Sequence, residues 1–98
     1  MPFSFKKIED KMYFYFPEDM DTLQCLDIED KLIEEVKNHG GQVVFDMHNV
    51  EFIASSFIRL CGETAKIVGS ENIKLIYLRK HIKAVLKKVG LASVLNIE

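Results

Sequence analysis

This sequence predicts an α/β fold with a mixed, mostly parallel sheet of four to five strands and three or more helices. Three observations carry that prediction. Short β-prone runs alternate with longer segments of helical period, in the order β-β-α-β-α-β-α-(β). Residues 42–46, QVVFD, are nearly all apolar before the closing aspartate, as in a central strand covered on both faces. Each helical segment ends on a glycine: Gly40, Gly69 and Gly90. Strands joined through helices run parallel by right-handed crossovers, whereas the opening pair needs only a hairpin and adds one antiparallel edge. With 98 residues, 48% of them hydrophobic, the chain has the size and content of one domain with a single core.

Residues 3–8, FSFKKI, roughly alternate and read as a first strand. Residues 11–16, KMYFYF, are aromatic and β-prone, with Glu9 and Asp10 as the hairpin turn between the two. Pro17 stops the second strand. Asp21-Thr22-Leu23-Gln24 has the form of a capping box, and Leu23, Leu26, Leu32, Ile33 and Val36 continue at helical spacing as the expected apolar stripe. After strand 42–46, a second helix is expected over residues 56–68, with Phe57, Leu60, Cys61, Ala65 and Val68 inward. Residues 73–78, IKLIYL, read as the next strand. A third helix places Ile82, Val85, Leu86 and Val89 inward and Lys83, Lys87 and Lys88 outward, and residues 92–97 form a last short edge strand. The aromatic strand 11–16 can pair with a second copy or be covered by its neighbour, so a monomer or weak homodimer is expected.

Composition narrows the function. A net charge of −2 and a pI near 5.9 argue against a nucleic-acid binder, and the lysines of the third helix read as a solvated face. No apolar run approaches the roughly 20 residues of a membrane span, and MPFSFKKIEDK lacks the apolar region of a signal peptide. Cys25 and Cys61 fall in helical segments without ligand spacing and are expected as buried reduced thiols of a cytoplasmic protein. His39, His48 and His81 have no metal-site spacing, His48 reads as a solvated turn residue, and no glycine-rich phosphate loop is present, so no cofactor is expected. Ser55-Ser56 lacks the flanking glycines of a nucleophile elbow, which argues against a serine hydrolase and, with the rest, against an enzyme.

The most informative stretch is residues 43–60, VVFDMHNVEFIASSFIRL: a buried strand, a polar turn, then a serine pair at the mouth of an amphipathic helix. Backbone N–H groups are free there and the helix dipole favours negative charge, which suits a phosphate. A serine there is equally a helix N-cap. Asp46 has two readings, acceptor for the turn that follows or orienting group for Ser56, of which the turn is the commoner role. Phe52 and Ile53 read as core. Glu18, Asp19 and Asp21 lie in the loop after the second strand, which emerges at the same sheet end as the Ser56 loop. They belong either to one partner surface with it or to a solvated loop carrying a helix cap.

The strand VVFDM ending in Asp46, then NVEFI, then a Ser-Ser pair opening a helix resembles the core of the STAS domain, the fold of bacterial anti-sigma factor antagonists. The likeness covers nearly the whole chain: IKLIYL resembles that family's fourth strand and VLKKVGL, residues 85–91, its closing helix end. The resemblance implies a non-enzymatic regulatory module that binds a serine-kinase or anti-sigma-type protein, is phosphorylated at Ser56 with Ser55 as the capping neighbour, and is reset by a PP2C-type phosphatase. Glu18, Asp19, Asp21, Ser55, Ser56 and Phe57 would then form the partner surface, with Asp46 as structural support. Two departures stand out: Ala54 replaces the family's acidic residue before the serine pair, and Phe57 replaces the glycine after it. The alternative within the same likeness is a constitutive scaffold subunit of a transport ATPase or signalling complex, without phosphorylation.

Overall fold

The computed structural model describes residues 3–98. The described residues form seven strands and three α-helices: β1 (Ser4–Ile8), β2 (Lys11–Tyr15), β3 (Asp19–Met20), α1 (Thr22–His39), β4 (Val43–Asp46), β5 (Phe52–Ile53), α2 (Ser55–Val68), β6 (Ile73–Ile76), α3 (Lys80–Lys88) and β7 (Asn96–Ile97). The main sheet has the order β1-β2-β4-β6-β7, antiparallel at the β1–β2 hairpin and parallel elsewhere. The expected α/β class and mixed sheet hold, and the strand–helix order holds for the main sheet; β3 and β5, two residues each, are additional and form a second, two-stranded sheet. None of the helices among the described residues is long and apolar enough to cross a membrane.

Register explains the core. Met12, Val43 and Ile73 lie side by side across the three central strands, and Phe14, Phe45 and Leu75 form the next matching row. Both rows are buried and face the helices, whose buried side chains complete one cluster: Cys25, Ile28, Leu32 and Val36 from α1, Phe57, Leu60, Cys61 and Ala65 from α2, Ile82 and Leu86 from α3. Successive residues of a strand point to opposite faces. The other face therefore carries Tyr13, Val44 and Lys74, then Tyr15, Asp46 and Ile76. Val44 and Asp46 are buried there, so β4 is covered on both sides as its composition implied. Burial, with Asp46 and Tyr13 as neighbouring negative groups, pushes the Tyr15 hydroxyl pKa up.

Two apolar stripes differ from expectation. On α1 the buried positions are 25, 28, 32 and 36, and Leu23 and Leu26 are instead 73% and 57% exposed. On α3 only Ile82 and Leu86 face inward, while Val85 and Val89 are exposed. Gly40 caps α1 as expected, with φ +66° and its N–H returning to the Val36 carbonyl, and Gly69 closes α2, whereas α3 is capped by Val89, with Gly90 one residue beyond. Strand β6 stops early because Tyr77 takes φ +59°, a left-handed conformation that is unfavourable for a bulky side chain. The second strand and the last are shorter than the sequence ranges, at Lys11–Tyr15 and Asn96–Ile97.

Both cysteines are free and buried. Desolvation raises the Cys61 thiol pKa strongly and Cys25 less so, the neighbouring Ser56 hydroxyl partly offsetting the rise at Cys25. Both are inert core thiols rather than nucleophiles.

Candidate functional site

The site is built by two strands of two residues each. β3 and β5 pair in parallel, Asp19 opposite Phe52 and Met20 opposite Ile53. The Glu51 and Phe52 N–H groups donate to the Glu18 carbonyl at 2.8 and 3.2 Å, and the Ala54 N–H donates to the Met20 carbonyl at 2.9 Å. Each short strand runs straight into a helix, β3 into α1 and β5 into α2. The N-termini of α1 and α2 therefore open side by side, with their positive dipole ends together. The loop holding Glu18, Asp19 and Asp21 and the loop holding the serine pair thus meet, as their shared sheet end implied.

The polypeptide before β5 is held by the end of β4 and the start of α3. Asp46 Oδ1 accepts from the His48 N–H at 3.1 Å, and His48 Nδ1 lies 2.7 Å from the same oxygen, donating in its Nδ1–H tautomer. Asp46 therefore plays the turn role, and the His48 ring is hydrogen-bonded rather than simply solvated. Arg79 Nε donates to the Val50 carbonyl at 3.1 Å, and His81 Nε2 reaches the Glu51 carbonyl. Two residues at the start of α3 thereby fix the segment that delivers the serine pair.

The two helix mouths are finished differently. Asp21 is the N-cap of α1, its carboxylate accepting from the Gln24 N–H at 2.8 Å. The N-cap of α2 is Ala54, which brings no side-chain hydrogen bond. Ser55 and Ser56 are thus the first two helical residues, and the expected capping role of Ser55 is corrected: the extended backbone of Ala54, φ −87° and ψ 167°, puts the cap one residue earlier. Replacing Ala54 with aspartate should supply the missing acceptor and stabilise the chain by about 1 kcal/mol in chemical denaturation. An unchanged midpoint would mean that the end of α2 is already satisfied.

The serines have opposite environments. Ser55 is exposed. Ser56 is partly buried, and its Oγ is out of contact with solvent and has no hydrogen-bond partner among the described residues. It is close enough to Cys25 to favour that thiolate, yet no hydrogen bond of ordinary geometry joins them, and the Cys25 thiol points to the Met20 carbonyl at 3.8 Å. Thr22, Ser55, Ser56 and Arg59 line a shallow hollow of about 380 Å³ between the two helix mouths. Arg59 stands one turn beyond Ser55, its Nη2 3.6 Å from Glu29 Oε2 on α1.

Two expectations about aromatic residues reverse. Phe57 is completely buried, its ring 5.2 Å from Phe16 and 6.2 Å from Phe45, centroid to centroid. It is a core residue and cannot anchor a partner. Phe52, expected in the core, is 50% exposed, while Ile53 beside it is buried. Phe52, Leu23 and Leu26 are exposed, as are the acids Glu18, Asp19 and Asp21, in the segments that enter and begin α1 and α2. Sequence reasoning missed Leu23, Leu26, Phe52, Thr22 and Arg59. For Arg59 a signal existed, because it lies four residues after Ser55 on the same helix face.

No family model matches the chain, and none of the curated proteins does. Solved structures do. An anti-sigma-factor antagonist (STAS) domain protein from Planctomyces limnophilus superposes with a TM-score of 0.85 at 18% identity, covering 97% of this chain and 87% of that one. A protein from Thermotoga maritima, described as an anti-sigma factor antagonist, gives 0.84 at 17% identity over 97% and 84%. The Bacillus cell fate determinant SpoIIAA in its phosphorylated form gives 0.72 at 12% identity over 99% and 91%. The chain therefore has the fold of the STAS domain and anti-sigma factor antagonists along nearly its whole length.

Proposed function

We propose that this protein is a non-enzymatic regulatory module that binds a serine-kinase or anti-sigma-type protein through the joined mouths of α1 and α2, and that phosphorylation of the serine pair there releases the partner. The observation that carries this reading is the apolar exposure at the joined helix mouths: Leu23 and Leu26 at the start of α1 and Phe52 at the start of β5 are exposed on the elements that lead to the Ser55 hollow. Apolar groups give a partner area to bury, and the acids at the margin select a partner with a basic rim. A phosphate adds about −1.5 to −2 charge, which the positive helix ends tolerate without a change of fold and which disrupts an apolar contact. In this reading, which rests on the resemblance of the stretch 43–60 to anti-sigma factor antagonists, Ser56 is the acceptor, a kinase is the partner and a PP2C-type phosphatase carries out the reverse step.

The burial of Ser56 Oγ favours a second reading, a constitutive scaffold subunit of a transport ATPase or signalling complex. One experiment separates the two. The tagged chain is recovered from its native cells as wild type, as Ser55→Ala/Ser56→Ala and as Ser55→Glu/Ser56→Glu, and bound proteins are identified by mass spectrometry. The regulatory reading expects a kinase-like ATPase with the alanine form and its loss, at least tenfold, with the glutamate form. Equal recovery of one partner by all three forms contradicts it and supports the scaffold.

A further inference from the structure

We infer that the outward face of α3 docks on an anionic lipid surface, a site separate from the helix mouths and independent of the regulatory reading above. The net charge of −2 conceals a segregation. Residues 72–97 hold six of the 13 lysine and arginine residues of the chain and none of its 15 acids, so the remainder is strongly acidic. Within that stretch α3 turns Ile82 and Leu86 to the core and leaves Lys80, Ala84, Lys87 and Lys88 exposed, with Lys83 half-buried at the edge. Lys80, Lys83 and Lys87 share one helix face by their spacing of three and four residues, and Lys88 stands one turn beyond Ala84. Among the described residues none of these four ammonium groups lies within ion-pair distance of a carboxylate. An ordinary solvated face interleaves both signs of charge. This one carries a single sign, without internal compensation.

The residue types fit a lipid surface better than an acidic protein. The exposed cations of α3 are all lysines, point charges on flexible stems that can follow a mobile array of headgroup phosphates. Arginine, which forks onto one carboxylate, and the aromatic residues that anchor protein interfaces are missing from this face. The arginine of the stretch, Arg79, is turned to the Val50 carbonyl. Ala84 sits among the lysines, so no bulky side chain holds a flat surface away. Val85 and Val89, one turn apart and 39% and 52% exposed, border the lysines, and Val94 beyond the helix is 40% exposed. Small apolar groups and lysine stems suit the headgroup boundary without deep insertion, since Ile82 and Leu86 keep α3 packed in its own fold. The same anionic surface repels the acidic remainder of the chain, which orients the molecule with α3 against the lipid. Thr22, Ser55, Ser56 and Arg59 of α1 and α2 line the serine hollow, so lipid and partner would be held by different residues.

The test is co-sedimentation of the full chain with vesicles of phosphatidylglycerol and phosphatidylcholine in equal parts, against phosphatidylcholine alone. At about 0.05 M salt the chain should pellet with the anionic vesicles only, and about 0.3 M salt should release it. Each cation at such a surface multiplies partitioning about fivefold, so Lys83→Gln/Lys87→Gln/Lys88→Gln should lower it about 100-fold. The control Lys6→Gln/Lys7→Gln/Lys37→Gln makes the same change of net charge on β1 and the end of α1, and should lower it less than about threefold. Equal losses in the two variants overturn the inference, because net charge alone would then be at work. No pelleting of the unmodified chain at low salt also overturns it, whatever the variants do. A chain that ignores anionic vesicles but binds polyglutamate overturns it and assigns the face to an acidic protein.

Discussion

Replacing Phe57 with alanine should cost about 3–5 kcal/mol of stability, read as a fall in the denaturant midpoint at unchanged slope. The ring is completely buried where α2 crosses the sheet, edge-on to Phe16 at 5.2 Å and tilted against Phe45 at 6.2 Å. Phe16 in turn stacks edge-on against Phe45 at 5.1 Å, so the three rings bond the end of β2, the centre of β4 and the first turn of α2 into one unit. Removing one ring loses its transfer energy and leaves a cavity that neighbours held in three separate elements cannot close. Such a loss is a large share of the total stability of a small domain, about 5–15 kcal/mol. It also loosens the helix mouth from within, so partner binding falls indirectly. A variant of normal stability with impaired binding would contradict the placement of Phe57.

Replacing Phe52 or Leu26 with alanine should do the reverse. Both are more than half out of contact with their own fold or at that boundary, 50% and 57% exposed, so stability should move by less than about 0.5 kcal/mol. Affinity for the partner should fall at least tenfold, about 1.4 kcal/mol, because truncating an apolar side chain buried at an interface forfeits its transfer energy, whereas charges at the rim contribute little. Glu18→Gln or Asp19→Asn should mainly alter the association rate and its salt dependence. Titration of each variant against the partner recovered with the alanine form checks both statements. Unchanged affinity in Phe52→Ala and Leu26→Ala would move the binding surface away from the mouths of α1 and α2.

The order of elements was legible because strands and helices differ in period and glycines mark the ends of the helices. The phase of α1 was not. Leu23, Leu26 and Ile33 lie at helical spacing, but so do Cys25, Ile28, Leu32 and Val36, and periodicity cannot choose between two stripes on one helix. Packing against the sheet and α2 chooses the second and frees the two leucines. Strands β3 and β5 have two residues each, too few for any alternation to show, so Phe52 and Ile53 could not be sorted into outside and inside. The roles of Ser55 and Ser56 hinge on one backbone conformation at Ala54, which places the N-cap on alanine and turns one serine out and the next in. Asp21 was readable because a side-chain cap announces itself in sequence, through an acceptor three residues before the donor it satisfies.

The central claim is a switch written at the mouth of α2, and the most direct measurement is the intact mass, with peptide mapping, of the chain recovered from its native cells in growth and under stress. The account predicts a gain of one phosphate on the peptide holding Ser55 and Ser56, with an occupancy that changes between the two states. A chain of unmodified mass in every state would contradict it.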